Sequence, residues 1–541
     1  MGKKIGIDLG TTYSCLSYVD ENGIVKIIDN LEGEQTTPSV VHFSENGEVT
    51  IGSTARQEGS HSPDRMIERV KNFMGDPNYS FTVDGQDYSA SAVSALILKK
   101  LVRDAQNFFG GEAIDGAVIT CPAYFNEAMR AATTEAGINA GLNVLKILDE
   151  PVAAGLAYGN SRQEDMQKTV LVYDLGGGTF DCTVLKINFQ GSSKEMEQIT
   201  THGNHQLGGK DWDARLTEYV CHEFAKAHSD VSVDDMMHDM EMKAWFSENI
   251  EKTKKTLTNK STTVLAVSYN GSKERIEITK EAFENVTSGE LESTIMLVND
   301  MLDRKGLSIN DIDEIILVGG STRMPQVEQK LMQTYNKPIS SFEPDKAVAM
   351  GAALVADGAN YTGGGETFDG GETGDSKSQS GATLGGTTTA VEIQNQDGST
   401  TVFIEKTSKS YGLVVIQNGR DIISNMILKD SIKPARDEKI FGTNVPNQLS
   451  ANLRIYENDS LNDIVELHEG TEMYESSELS LPPGLPQGAG LKVIFDLNGN
   501  GELTILLTVL DTGQTNTVTP KRIGQEAANV GMDQIDKLTI A

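Results

Sequence analysis

Apolar and polar positions alternate in short runs along this chain, and two of those runs share one plan. The first is Ile5-Gly6-Ile7-Asp8-Leu9-Gly10-Thr11-Thr12-Tyr13-Ser14, and the second is Leu171-Val172-Tyr173-Asp174-Leu175-Gly176-Gly177-Gly178-Thr179-Phe180-Asp181. Each reads as an apolar strand, an Asp-Leu-Gly turn, and a second strand rich in Thr and aromatic residues, which predicts a β-hairpin. Two copies this far apart predict the two lobes of a duplicated domain. A third strand-and-glycine unit stands at Ile315–Arg323. Helical periodicity over Ala90–Phe109, Glu127–Ala140 and Pro151–Tyr158 alternates with these strands, so the fold class is mixed α/β. A last helix-like stretch, Lys346–Ala356, closes this first domain at about residue 357.

The composition then changes. Residues 358–389 are Gly, Thr, Ser and acid with little to bury, the pattern of a flexible linker. From 390 to 515 the chain is rich in Val, Ile, Leu and Thr, in short runs broken by Asn418-Gly419, Asn500-Gly501 and Pro482-Pro483-Gly484. That pattern predicts an all-β module of hairpins. The remaining 516–541 is too short for another domain. The length of 541 residues requires more than one core.

Charge and cysteine content narrow the function classes. A net charge of −32 argues against general nucleic-acid binding, which needs a basic surface. No run of about 18 apolar residues is present, which argues against a membrane span. The N-terminus enters a strand pattern at once and leaves no room for a signal peptide, so the cytoplasm is the expected compartment. Cys15, Cys121, Cys182 and Cys221 lie far apart without a Cys-x-x-Cys pair and read as buried free thiols.

The turn chemistry points to phosphate. Glycine lets backbone N–H groups approach a phosphate, threonine hydroxyls add donors, and an aspartate at the turn can hold a hydrated magnesium ion. The chain has neither the Gly-x-x-x-x-Gly-Lys-Ser/Thr loop nor a strand-to-helix Gly-x-Gly-x-x-Gly, so it is neither a P-loop nor a dinucleotide fold. Glu150, just before Pro151, is either a helix cap or a carboxylate that orders a water. Lys71 either meets a γ-phosphate or is a solvated helix lysine. Glu251, Lys254, Lys255 and Thr258 share one helical face, either a solvated stripe or a wall for adenosine.

The strings Gly6–Ser14, Pro122-Ala123-Tyr124-Phe125-Asn126, Asp174–Asp181 and Val318–Pro325 together resemble the DnaK-type heat-shock protein 70 chaperones. The likeness covers residues 4–357 and continues more weakly through 405–515. It implies an actin-like ATPase domain followed by a peptide-binding β-sandwich. It further implies ATP or ADP with Mg2+, and K+ as an optional further ion. Through it, Asp8, Glu150 and Asp174 surround the magnesium ion through waters, and Lys71 stabilises the transferring phosphoryl group beside Thr179. Gly10, Thr11, Thr12 and Tyr13 line one phosphate turn, and Gly176, Gly177 and Gly178 line the other. Gly208, Gly209, Glu251, Lys254, Lys255, Thr258, Gly319, Gly320, Ser321, Arg323 and Asp345 hold the rest of the nucleotide. Lys255 stands where many members carry Arg, and Asn204 and Lys210 replace usual acids away from the essential steps. Leu413, Ile416, Phe441, Ala451 and Leu453 surround the implied peptide cleft, the alternative being plain sandwich core. Implied partners are unfolded or extended polypeptides, a J-domain co-chaperone and a nucleotide exchange factor.

Two departures stand out. The family joins its domains by a leucine-rich linker, whereas residues 358–389 are Gly- and Thr-rich. The family also carries a helical lid of roughly a hundred residues, and too few residues follow Leu510 to form one. The alternative to a coupled chaperone is therefore a lidless peptide-binding protein whose ATPase does not drive release. A filament-forming actin relative or a sugar kinase of the same fold would leave the β module unexplained.

Overall fold

The computed structural model describes residues 2–162, 166–190, 193–358, 391–394, 400–499, 501–523, 530–535 and 537–540. Both predicted hairpins form. Lys3–Asp8 pairs antiparallel with Tyr13–Val19, placing Asp8 opposite Cys15. Met166–Leu175 pairs with Phe180–Gln190, placing Asp174 opposite Asp181. In each lobe the first arm of the hairpin also pairs in parallel with a later strand, Ile114–Cys121 in the first lobe and Glu314–Val318 in the second. The shared pairing scheme is the duplication read from the two aspartate turns.

Helices pack on these sheets where their periodicity predicts. Ala90–Phe108 starts at Ser89, whose hydroxyl accepts from the Ala92 N–H at 3.1 Å. Glu127–Asn139 starts at Asn126, which accepts from Met129 at 3.0 Å. Such caps satisfy backbone donors that have no partner within the helix. Glu150–Ser161 and Ala347–Gly358 cross closely between the lobes because small residues line the crossing. A Cβ on Gly351 would lie 1.8 Å from the Ala153 carbonyl oxygen, and one on Gly6 would lie 2.2 Å from the Ala353 nitrogen. The expected helix after Asp345 thus starts at Ala347 and brings the two hairpin tips to one cleft.

The β module is two facing sheets. One orders Ile464–Glu466, Arg420–Ile427, Ser410–Gln417, Ile455–Asn458 and Thr471–Glu472; the other orders Ala435–Gly442, Gly490–Leu497, Leu503–Val509 and Thr515–Val518. Tyr411, Phe495, Leu497 and Ile505 fill the space between them.

The strands Val391–Gln394 and Thr400–Ile404, expected within the β module, belong elsewhere. Thr400–Ile404 pairs in parallel with Ser193–Asn204 and extends the sheet of the second lobe, with Val391–Gln394 outside it. Phe403 is buried in the core between the lobes. Hydrogen bonding to an open sheet edge, together with burial of this aromatic ring, outweighs the proximity in sequence to the sandwich. The Gly/Thr/Ser-rich residues 359–390 lie outside the described residues.

The module rests against the two-lobed domain. Tyr411 donates its hydroxyl to Glu127 at 3.3 Å, Lys433 approaches the same carboxylate at 3.5 Å, and Arg522 donates to the Glu127 carbonyl at 2.7 Å. Lys146 pairs with Glu405, Lys406 with Glu197, and Lys305 with Asp430.

Candidate nucleotide and metal site

A cleft of about 700 Å3 separates the lobes, within the range of sites that hold a small organic ligand. Asp8, Gly10, Thr11, Thr12 and Tyr13 line it from the first hairpin, and Asp174, Gly176, Gly177 and Thr179 from the second. Lys71 and Glu150 complete the floor. Glu251, Lys254, Lys255 and Thr258 line the far wall from the helix Met240–Asn259, together with Gly209, Gly319, Gly320, Ser321, Arg323 and Asp345. Gly178 and Gly208 do not line it. They pack against each other behind the wall, where a Cβ on Gly208 would lie 2.6 Å from the Gly178 backbone.

Lys71 is not a solvated helix lysine. It sits on the short turn Val70–Phe73, is buried, and is ion-paired to Glu150. Burial works against its ammonium, but the Glu150 and Asp8 carboxylates hold its pKa above the ordinary range. Burial, and then the Glu150 charge, push the Asp8 carboxyl up to about 7. Burial, then Glu150 and Asp8, push Asp174 well above its usual value. The floor therefore gathers more buried negative charge than Lys71 offsets, which suits a divalent cation. Among the described residues no three His, Cys, Asp or Glu side chains converge as direct metal ligands.

The two hairpin tips meet at close range. A Cβ on Gly177 would lie 1.8 Å from the Thr12 hydroxyl, which is buried without a hydrogen-bond partner. A free hydroxyl beside glycine backbone at the seam of two lobes suits an anionic oxygen. The Ser321 hydroxyl donates to the Gly176 carbonyl at 2.8 Å, fixing the third glycine unit to the second hairpin. Gly319 needs its positive φ of 83° there, since a Cβ would lie 2.4 Å from the Leu175 carbonyl.

The helical stripe is not simply solvated. Lys254 is buried, donating to the Gly209 carbonyl at 3.0 Å and pairing with Asp213 at 2.8 Å. Lys255 pairs with Glu251 at 2.9 Å and stands over the Tyr13 ring, 5.1 Å from its centroid. Arg56 covers Tyr13 from the first lobe and reaches Glu251 at 3.7 Å. Arg56 and Asp213 went unread in the sequence. Asp213 had a signal, lying one turn after Gly209 on the helix Gly209–Ala227. Arg56 had none, since its partners come from both lobes. Lys210, read as away from the essential steps, lines the cleft. All four cysteines are buried and free.

A family description, Hsp70 protein, matches residues 4–83 and 76–362. The chaperone protein DnaK of Thermotoga neapolitana is 37% identical over 521 residues, covering 95% of this chain and 79% of that one. DnaK of Thermotoga maritima has the same identity and coverage, and DnaK of Thermosipho africanus is 34% identical over 525 residues, with 95% and 79% covered. This chain belongs to the Hsp70 family.

As a DnaK-type Hsp70 it is a chaperone with an ATP-binding, actin-like domain and a β-rich C-terminal region. Val402-Phe403-Ile404 form an apolar run on the strand that docks on the second lobe. Of the implied cleft residues, Leu413 and Leu453 are closed within the sandwich core, Phe441 and Ala451 are half-buried against it, and Ile416 is exposed. No described helix is long and apolar enough to cross a membrane.

Proposed function

We propose that the cleft binds ATP with magnesium and hydrolyses it, and that the β module holds extended apolar segments of unfolded polypeptides. The observation that carries the first half is the buried Lys71–Glu150 pair beside Asp8 and Asp174, where the two hairpin tips meet.

Phosphoryl transfer needs positioning and positive charge more than covalent help. Backbone N–H groups at Gly10 and Gly177, with the Thr11 and Thr12 hydroxyls, bind the phosphate oxygens. Asp8 and Asp174 orient the waters of the metal, whose charge, when bound, screens the phosphate oxygens. Lys71 turns its ammonium from Glu150 to the γ-phosphate as charge develops there. Glu150, relieved of that partner, accepts a hydrogen bond from the attacking water, and Thr179 holds the γ-phosphate in line. The water oxygen bonds to the γ-phosphorus as one of its protons passes to the Glu150 carboxylate, the bond to the β–γ bridging oxygen breaks, and ADP and inorganic phosphate leave. Lys254, Glu251 and Thr258 hold the adenosine against Gly320, Ser321, Arg323 and Asp345.

On the module, an extended chain would hydrogen-bond to strand backbone and place an apolar side chain beside Ile416, Phe441 and Ala451. Admission of that side chain to Leu413 and Leu453 requires the sandwich edge to open. The alternative, a lidless peptide-binding protein whose ATPase does not drive release, predicts equal peptide affinity with ATP and with ADP. A J-domain co-chaperone and an exchange factor remain the proposed partners.

Calorimetry of the full chain with ATP, with and without Mg2+, tests the nucleotide reading: Mg2+-dependent heat and subsequent phosphate release are expected. No heat from either nucleotide overturns it. Anisotropy of a labelled apolar heptapeptide tests the module, and no binding in ATP or ADP overturns that half.

A further inference from the structure

The module is fastened at both ends, and its second fastening uses residues that the ATPase and peptide sites leave unused. After Thr515–Val518 the chain stays with the module as far as Ile523. The Glu475 N–H donates to the Lys521 carbonyl at 2.8 Å, and the Ile523 N–H to the Met473 carbonyl at 3.0 Å. By Val530 the chain has reached the first lobe, where the Ser89 N–H donates to the Val530 carbonyl at 2.9 Å. Gly531 follows at φ 79°, pressed so close that a Cβ would lie 2.5 Å from the Asp87 carbonyl oxygen.

The turn Met532–Ile535 then drives two apolar side chains into the lobe. Met532 and Ile535 join the core formed by Val49, Ile51, Tyr88 and Leu96, and Ile535 is 1% exposed. Beyond it, Thr539–Ile540 adds a parallel strand to Glu48–Ile51, with Thr539 opposite Glu48 and Ile540 opposite Val49. The Arg103 guanidinium donates to the Ile540 carbonyl at 2.9 Å. Backbone pairing, side-chain burial and a guanidinium contact act together on one short stretch, the combination by which a sheet edge captures an extended peptide.

We propose that residues 530–535 and 537–540 form an intramolecular clip that holds the β module beside the first lobe, with or without nucleotide. The other end of the module leads back to Thr400–Ile404 on the second lobe, so the module bridges the two lobes. Seven steps of chain separate Ile523 from Val530. Fully extended they span about 25 Å, at about 3.3–3.6 Å per residue. A closed clip therefore keeps the C-terminal end of the module within that reach, whatever the cleft contains. The inference stands on these contacts alone, and the ATPase reading neither supports nor needs it.

The test uses full-length protein with a pair of spin labels at Glu112→Cys in the first lobe and Glu478→Cys in the module. Both sites are exposed and the four native thiols are buried, so labelling is confined to the pair. The expected result is one narrow distance distribution, the same without nucleotide and with ADP. Adding Ile535→Asp should broaden it at least twofold, and excess synthetic peptide of native sequence 528–541 should broaden the parent's distribution likewise, because the peptide fills the groove on the lobe without being joined to the module. Competition by the peptide in the unsubstituted chain separates release of the clip from damage to the lobe. Hydrogen exchange on the unmodified chain gives an independent reading, with slow exchange expected at the Ser89 amide. A longer-distance population in the parent with ADP, an Ile535→Asp distribution equal to the parent's, failure of excess peptide to broaden the parent's distribution, or rapid exchange at Ser89 would each overturn the clip.

Discussion

The Lys71 ammonium is ion-paired to the Glu150 carboxylate on the cleft floor, across 79 positions of sequence. The pair joins the only lysine of a short turn to the first residue of a helix, and both side chains are buried. Replacing Lys71 by Ala removes positive charge where the γ-phosphate would react and leaves the adenosine wall intact. We expect nucleotide to remain bound while single-turnover hydrolysis falls by about 10²–10³-fold, the usual cost of losing one stabilising donor. Thr179→Ala should slow the same step with little change in affinity. Parent-like single-turnover rates in both variants would show that these roles are misassigned.

Asp8 sets a pH dependence with two opposite arms. Its carboxyl titrates near 3.8 in an unfolded chain and is pushed up to about 7 in the fold, by burial first and then by Glu150. Between those values the folded protein keeps a proton that the unfolded chain has released. Its contribution to stability is thus full below pH 4 and lost as pH rises through 7. The melting temperature of the nucleotide-free protein should fall from pH 5 to pH 8, and Asp8→Asn should reduce that slope. Metal binding needs the carboxylate, so Mg2+-dependent ATP affinity should instead rise from pH 6 to pH 8. A melting slope unchanged by Asp8→Asn would count against this assignment.

Lys255 holds its charge over Tyr13 and against Glu251, at the mouth of the adenosine wall. An ammonium cannot stack on a purine as a planar guanidinium does. Lys255→Arg should tighten ADP by roughly three- to tenfold, the effect of a cation–π contact at a partly exposed site. Stopped-flow release of a fluorescent ADP analogue measures it, with the change expected in the off-rate.

The four thiols make a simple probe of the fold. Cys15, Cys121, Cys182 and Cys221 are all buried, and burial pushes each thiol upward in pKa. No thiol should react with a thiol reagent in the native protein, and all four should react in denaturant. Rapid labelling of any one before unfolding would locate an opening of its lobe.

Much of the nucleotide cleft was legible in the sequence, because its glycines and aspartates sit on tight turns whose chemistry is local. The duplicated hairpins and the helices starting near Glu127 and Pro151 follow from residue patterns that need no distant partner. The role of Lys71 came from the family resemblance, and its burial was not legible from its local pattern. Its neighbours Arg69, Val70 and Asn72 give no hint of burial, and its counter-charge lies far along the chain. The strand Thr400–Ile404 was misplaced for the same reason, since an apolar run next to a sandwich reads as its first strand until the sheet edge at Ser193–Glu197 is known. Residues 530–540 were passed over because four helical residues and two strand residues leave no periodic trace.

The strand Thr400–Ile404 also acts as a guard. It occupies backbone groups along Ser193–Glu197 that would otherwise stand open to water at the border of a long twisted sheet. Such a border is a template on which a second chain can add. Any state in which this guard peels away is therefore also a state that invites self-association, so concentration-dependent oligomers should accompany its release.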